Sequence, residues 1–425
     1  MPGSPALETR ATQPTNATSA TLDPPPSREP RGARGARVDS IDVVRGLVVA
    51  LMVLDHVREY WSNTALVFQP TDLARTTPAL FATRWVTHLC APTFVFLAGA
   101  SVYLQCVAAR DRRAVARFQV TRGLWLVALE LSVVGFAFDF AAPFFFFQVI
   151  WAIGAGLVLL AALLRLPPST VFAVGATTLL AADAIAQLGA PLARGLPPVA
   201  QLAWHLLFAP GPAAPLPGFV AYPLLPWFGV LCMGFGAGPA FARPADERRR
   251  ALLRIGAAAL ALFALARLAN VGDVPWRAQS TAVFTALAFL NVSKYPPSPL
   301  FVLVTLGVTL SLAGLLDARR TAAPAPLRPV GAVLRAFGRT PMFTYLLHVF
   351  LVHGSALAAG VALGFPARAF TRFLEDPAPL RALGWGFGLP TVYAVWAATC
   401  VALYPASRWY AARRARAPRW WMRYL

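Results

Sequence analysis

The stretch PLFVLVTLGVTLSLAGLL (299–316) contains no charged residue. A run of this length and character is more stable in lipid than in water. Backbone groups in lipid must bond within their own segment, so such a run becomes a helix. A bilayer core takes about 20 apolar residues of helix. Ten segments meet that standard: 41–60, 84–106, 119–138, 144–164, 169–188, 219–240, 250–268, 299–316, 341–362 and 383–405. The expected fold is therefore all-α, a polytopic membrane bundle of about ten transmembrane helices. Composition agrees, because 13% charged residues is about half of what a soluble domain carries. The shorter VAQLAWHLLFA (199–209) is too short to span and is expected at the interface.

A net charge of +20 invites a nucleic-acid reading, but its distribution argues for topology instead. Alternate connections carry 27 of the lysines and arginines, among them Arg37, Arg113, Arg250, Arg339 and Arg414. The intervening connections carry eight, among them Arg84, Arg277, Lys294 and Arg381. That is the positive-inside pattern, and it places both termini in the cytoplasm. Anionic lipid accounts for the basic excess, so no nucleic-acid partner is expected. Residues 1–36 are rich in Pro, Ala and Arg and lack an apolar signal core, so they read as a disordered cytoplasmic tail. The transmembrane domain is expected over 37–405. Residues 406–425 read as a basic, aromatic cytoplasmic tail whose RWWMRYL suits the headgroup layer. Cys90, Cys106, Cys232 and Cys400 form no CxxC pair, so neither a zinc site nor a disulfide framework is expected and no metal is assigned.

Ionisable groups at membrane depth are functional candidates. Around the end of the first span, the stretch GLVVALMVLDHVREYW (46–61) holds Asp55, His56, Arg58 and Glu59 in quick succession. His56 follows Arg45 by eleven residues, roughly 16 Å and about three helical turns, so the two share a face. Such a face suits an anionic group entering beside Arg45 and chemistry beside His56. Arg58 to Trp61 read as the helix end in the headgroup layer. Ser40 is placed to cap the helix, and Asp42 and Arg45 to pair at i,i+3. Further along, His88 lies one turn before Pro92, and Gln148 is one amide in the otherwise apolar FFFFQVIWAIGAG. FLNVSKYPPSPL (289–300) holds Asn291 and Lys294, with Lys294 open to a site role or an interfacial anchor. In GRTPMFTYLLHVFLVHG (338–354), Tyr345 and His348 share a face and His353 lies beyond. His205 is expected to be structural.

Six blocks then carry a resemblance: RVDSIDVVRGLVVALMVLDHVREYW, THLCAPTFVFLAGA, QVIWAIG, YPLLPWFGV, FLNVSKYPPS and RTPMFTYLLHVFLVH, in that order across 37–354. Together they resemble a bacterial membrane family related to heparan-alpha-glucosaminide N-acetyltransferase, within the wider group of transmembrane acyltransferases. The Arg45-to-His56 spacing is similar to that of the arginine and histidine in the first helix of the acyltransferase-3 family. The resemblance implies acetyl-CoA or another acyl-CoA as co-substrate, no metal, and a saccharide or other envelope acceptor. It also implies a multi-pass protein of the bacterial cytoplasmic (inner) membrane, with homo-oligomerisation left open. One departure stands out. The lysosomal enzyme's proposed catalytic histidine lies in the loop after the first helix, whereas here residues 57–87 contain no histidine. That enzyme has asparagine where His56 aligns and aspartate where His88 aligns.

On this reading His56 is the general base, or carries the acyl group transiently, with His88 and His348 as the other catalytic candidates. Arg45, Arg113 and Arg339 engage the CoA phosphates, while Lys294, Asn291 and Tyr345 line the acceptor side. The alternative is a proton-coupled transporter in which the histidines relay protons. Consumption of acyl-CoA separates the two.

Overall fold

The computed structural model describes residues 39–65, 67–109, 111–141, 144–318, 328–372 and 376–424. These belong to the unit Val38–Leu425. The expected tail 1–36 and the basic residues Arg110, Arg319 and Arg320 lie outside the described residues.

The chain begins with α1 (Asp39–Trp61), α2 (Pro78–Thr87), α3 (Cys90–Ala108) and α4 (Arg112–Leu129). A π-turn (Glu130–Val134) leads into α5 (Gly135–Asp139), β1 (Phe145–Phe147) and α6 (Val149–Leu163). Then come α7 (Pro168–Ala193), α8 (Pro198–Leu207), β2 (Gly211–Pro212), β3 (Gly218–Val220), α9 (Leu224–Phe241) and α10 (Ala245–Leu268). The remainder is α11 (Ala282–Leu290), α12 (Pro299–Ala318), α13 (Arg328–Arg339), α14 (Pro341–Ala362), α15 (Ala378–Ala382) and α16 (Leu389–Arg416). Proline sits in the first turn of α2, α7, α8, α14 and α16, where its missing N–H costs nothing and its fixed φ suits the helix.

Among the described residues, eight helices are long and apolar enough to cross a membrane. The protein is a polytopic helical membrane protein, and these eight correspond to eight of the ten expected spans. The other two are α1 and α6. α6 has 15 residues, short for a bilayer core. α1 is long but charged, and it avoids lipid by running through the middle of the bundle. It packs on α13, α14, α16, α12 and α3, with Val44, Val48, Val49, Val53 and Val57 all buried. Its charged end is therefore surrounded by protein: Arg58, Tyr60 and Trp61 are buried.

The all-α expectation needs a second correction. The start of the span expected at 144–164 is strand β1, part of a three-stranded sheet ordered β1-β3-β2. β1 runs parallel to β3 with Phe146 opposite Phe219, and β2 runs antiparallel to β3. The Phe147 carbonyl accepts from the backbone N–H groups of both Ala221 and Tyr222, at 3.0 and 3.1 Å. This pins the Phe147–Gln148 turn beside the entry to α9.

The helix seams place backbone against backbone. A Cβ added at Gly123 of α4 would meet the Gly154 carbonyl of α6, and one at Gly154 would meet that of Gly123. Such close approach is how helices associate without a hydrophobic driving force. Gly46 of α1 lies against the backbone of Leu334, and Gly338 of α13 against Asp42.

At the Arg45 end of the bundle, Ser40 lies inside α1 and donates to Asp317 at 3.0 Å rather than capping the helix. Arg248 of α10 clasps the same carboxylate from the other side, at 2.6 and 3.1 Å. α16 continues past 405 to Arg416, and the aromatic C-terminal stretch folds back onto α4. Tyr424 packs on Phe118 with ring centroids 5.5 Å apart, and Arg423 lies over the Phe118 ring. α8 buries none of its residues, and His205 bonds the Ala209 carbonyl at 3.0 Å. The four cysteines are free thiols.

Candidate active site

His56 lies on α1 one turn before the helix ends, and His348 lies near the middle of α14. Although 292 positions apart in sequence, His56 Nδ1 and His348 Nε2 are 2.6 Å apart. The ring planes differ by 13° and the centroids are 4.9 Å apart. That separation is close to the N···N distance plus the two ring radii, so the imidazoles meet edge to edge in one plane. His348 Nδ1 faces the backbone carbonyl of Tyr345, which only accepts, so Nδ1 carries the proton. In the neutral pair His348 Nε2 is then an acceptor, and His56 Nδ1–H donates to it. The unprotonated nitrogen of the pair is therefore Nε2 of His56. Both rings are buried, and Phe138 holds the His56 ring edge-on at 5.0 Å. His56 lines a cavity of about 270 Å³ with Phe146, Gln148, Tyr222, Lys294 and Tyr295.

Beside this pair is a buried charge cluster. Arg84 contacts both oxygens of Asp55 at 2.6 Å. Arg58 reaches the same carboxylate at 3.1 Å and the Thr87 hydroxyl reaches it at 3.0 Å. Glu59 lies 3.7 Å from Arg58, so two carboxylates face the two guanidinium groups, and buried Lys294 brings a further positive charge. Its ammonium lies 5.0 Å over the Tyr295 ring. Lys294 and Tyr295 form a shared wall, since both also line a second cavity of about 530 Å³ with Arg84, His88, Trp276, Arg277 and Asn291. The Tyr222 ring meets that of Tyr295 edge-on, with centroids 5.7 Å apart, at the edge of the His56 cavity.

The structure brings some of the expected residues together and leaves others apart. His88 caps the break between α2 and α3 and lines the larger cavity; its Nδ1 is buried without a hydrogen-bond partner and its ring packs on Phe301. Asn291 lines the same cavity while donating to the Thr71 carbonyl at 3.0 Å. Tyr345 supports His348 through its backbone, and its own hydroxyl is buried without a partner. Arg45 lies at the far end of α1, donating to the Ser101 hydroxyl at 3.2 Å. Asp42 joins it to Arg339, at 3.6 and 3.8 Å. Arg113 is exposed in the first turn of α4, where its backbone N–H binds Asp111, and has no such link among the described residues. His353 is held at both ring nitrogens by backbone carbonyls, of Ala137 at 2.9 Å and Phe370 at 2.8 Å. Its ring is stacked on Phe140, so it has no nitrogen free for chemistry.

Sequence reasoning missed the Asp55–Arg84 pair and the cavity role of Tyr222. The signal available for the first was an aspartate one residue before the candidate base, at membrane depth.

The model of the heparan-alpha-glucosaminide N-acetyltransferase catalytic domain matches residues 37–272. The matched stretch contains Arg45, His56, His88 and Gln148, while Lys294 and His348 come from beyond it. No curated protein sequence matches the chain. Membership implies a membrane acyltransferase-like function, in a family that uses acetyl-CoA. More than half of the chain is covered by that match, and the protein belongs to the heparan-alpha-glucosaminide N-acetyltransferase catalytic-domain family.

Proposed function

We propose that this protein transfers an acetyl or related acyl group from cytoplasmic acyl-CoA to a saccharide or other envelope acceptor, in the bacterial inner membrane. The observation that carries this reading is the His56–His348 pair, which presents an unprotonated Nε2 beside a cavity lined by hydrogen-bonding side chains. His56 takes the proton of the acceptor hydroxyl or amine as that atom attacks the thioester carbon. His348 holds the imidazole in the tautomer that can do so, as the third member of a triad holds its histidine. The 530 Å³ cavity is of the size that takes small ligands; Asn291, Lys294 and His88 line it on the acceptor side. Arg45 and Arg339 engage CoA phosphates at the opposite, cytoplasmic end of α1, with Arg113 on the same side.

The same geometry argues against a proton-coupled carrier. A relay must pass its proton onward, but the chain His56–His348 ends on the Tyr345 carbonyl, which has no proton to exchange. The test is reconstitution in liposomes with labelled acetyl-CoA, a glucosamine-terminated oligosaccharide and an envelope-saccharide extract, with and without a pH gradient. The acyltransferase reading expects acetyl-CoA consumption and labelled acceptor regardless of the gradient. Gradient-driven solute uptake with acetyl-CoA left intact would contradict it.

A further inference from the structure

We propose that the side-chain amide of Gln148 binds the acyl carbonyl oxygen and stabilises the negative charge it gains during transfer. The proposal rests on the acyltransferase reading above. Gln148 lines the same cavity as His56 and is buried, at 8% exposure. Its Nε2 has no hydrogen-bond partner. Among the described residues lining that cavity, it is the one with a buried side-chain donor left unpaired. An unpaired buried amide is destabilising, so such a group calls for a reason in the ligand or the chemistry.

The local structure shows why the amide is unspent. Gln148 stands at the N-cap of α6, where a side chain ordinarily accepts from the first free N–H groups. It makes no such bond, because Glu130, buried on the π-turn, accepts the Trp151 N–H instead, at 3.1 Å. The carboxyl oxygen of Glu130 thus takes the acceptor role that an N-cap side chain would otherwise fill. Meanwhile the backbone is fixed on both sides of the residue: the Gln148 carbonyl accepts from Ala152 at 3.2 Å, and that of Phe147 binds Ala221 and Tyr222. Phe138 bridges from His56 to Phe146 of the adjoining strand, with centroids 5.0 and 6.0 Å away. The amide thus sits on a rigid turn in the wall of the cavity that His56 also lines. Its oxygen and nitrogen exchange places by a half-turn of the last side-chain torsion with the packing unchanged, so its donors are available to the cavity. Lys294 lines the cavity too, but it is already engaged over the Tyr295 ring.

In the step this implies, the acceptor O–H or N–H gives its proton to His56 Nε2 as the acceptor atom bonds to the acyl carbon. The carbonyl π electrons move onto oxygen, where the Gln148 N–H donates. When that pair returns, the carbon–sulfur bond breaks. CoA leaves with the bonding electrons and takes the proton back from His56. Charge on oxygen exists only in transit, so a donor placed there raises turnover rather than affinity.

The experiment is steady-state kinetics of the full reconstituted chain with acetyl-CoA and the glucosamine-terminated oligosaccharide, comparing wild type, Gln148→Met, Gln148→Glu and His56→Ala. Gln148→Met keeps the length and removes the donor, and Gln148→Glu keeps the shape and only accepts once ionised, so it is assayed at high pH. The proposal expects kcat to fall by about 10²–10³ in both, with KM for acetyl-CoA unchanged within about twofold. The methionine variant should melt at or above the wild-type temperature, which a merely structural role would not allow; if it fails to fold, the glutamate variant carries the kinetic comparison. Turnover within about threefold of wild type, or a loss confined to KM, with His56→Ala inactive, overturns the Gln148 assignment and leaves the base in place. Absence of acetyl transfer by the wild type overturns both.

Discussion

Asp55 is the residue on which the site's electrostatics turn. Its carboxylate lies buried between Arg84 and Arg58, in the wall of the smaller cavity. Removing one partner from a buried ion pair leaves charge uncompensated and costs about 3–5 kcal/mol. Asp55→Asn should therefore lower the thermal stability of the detergent-solubilised protein by about that amount. The double variant Asp55→Asn with Arg84→Gln should recover part of the loss. Melting of the single variant together with wild type would show that the guanidinium groups find other partners. The cluster also explains how a helix can carry four ionisable residues near its end. Arg58 and Arg84 satisfy Asp55, while Glu59, 3.7 Å from Arg58, lines the cavity.

At the scale of elements, α1 is held by a seam too narrow for a side chain. Gly46 abuts the Leu334 backbone and Gly338 abuts that of Asp42, so α13 fixes the depth and rotation of the helix that carries both Arg45 and His56. Gly46→Ala pushes a methyl into a backbone carbonyl and should cost about 1–3 kcal/mol. It should also lower acetyl transfer by displacing His56 from His348; wild-type stability and activity together would refute the seam. The long helices were legible because apolar length alone marks a bilayer span, and the Arg45–His56 face followed from helical period. Strands of two or three residues were not legible. Phe145–Phe147 sits inside a phenylalanine run that reads equally as helix, and its partner strand lies more than 70 positions away. The Asp55–Arg84 pair spans 29 positions and the His56–His348 pair 292. No periodicity links residues on different helices, so only packing reveals them.

Across the described residues, several of the basic side chains gather at the Arg45 end of the bundle. There the start of α1 meets Asp317 and Arg248, Arg45 meets Ser101, and the C-terminal aromatics meet Phe118 near the start of α4. The histidine pair and both cavities lie toward the other end of α1. This separation suits a reaction whose donor arrives from one side and whose acceptor waits on the other. The positive-inside expectation, with the basic end cytoplasmic, predicts that a cysteine introduced at Asp246 is shielded from an impermeant maleimide added outside and that one at Thr64 is labelled. The reverse pattern would invert the assigned orientation.

The central claim is that His56 and His348 act as one unit, with His56 as base and His348 as the group that sets its tautomer. The most direct measurement is a double-mutant cycle on acetyl transfer by the reconstituted protein, using His56→Ala, His348→Leu and the pair. His56→Ala should lose about 10²–10⁴ in kcat. His348→Leu should lose a large part of that, and the double variant should be no slower than His56→Ala alone. Losses that multiply, or a His56→Ala variant that turns over like wild type, would contradict the account.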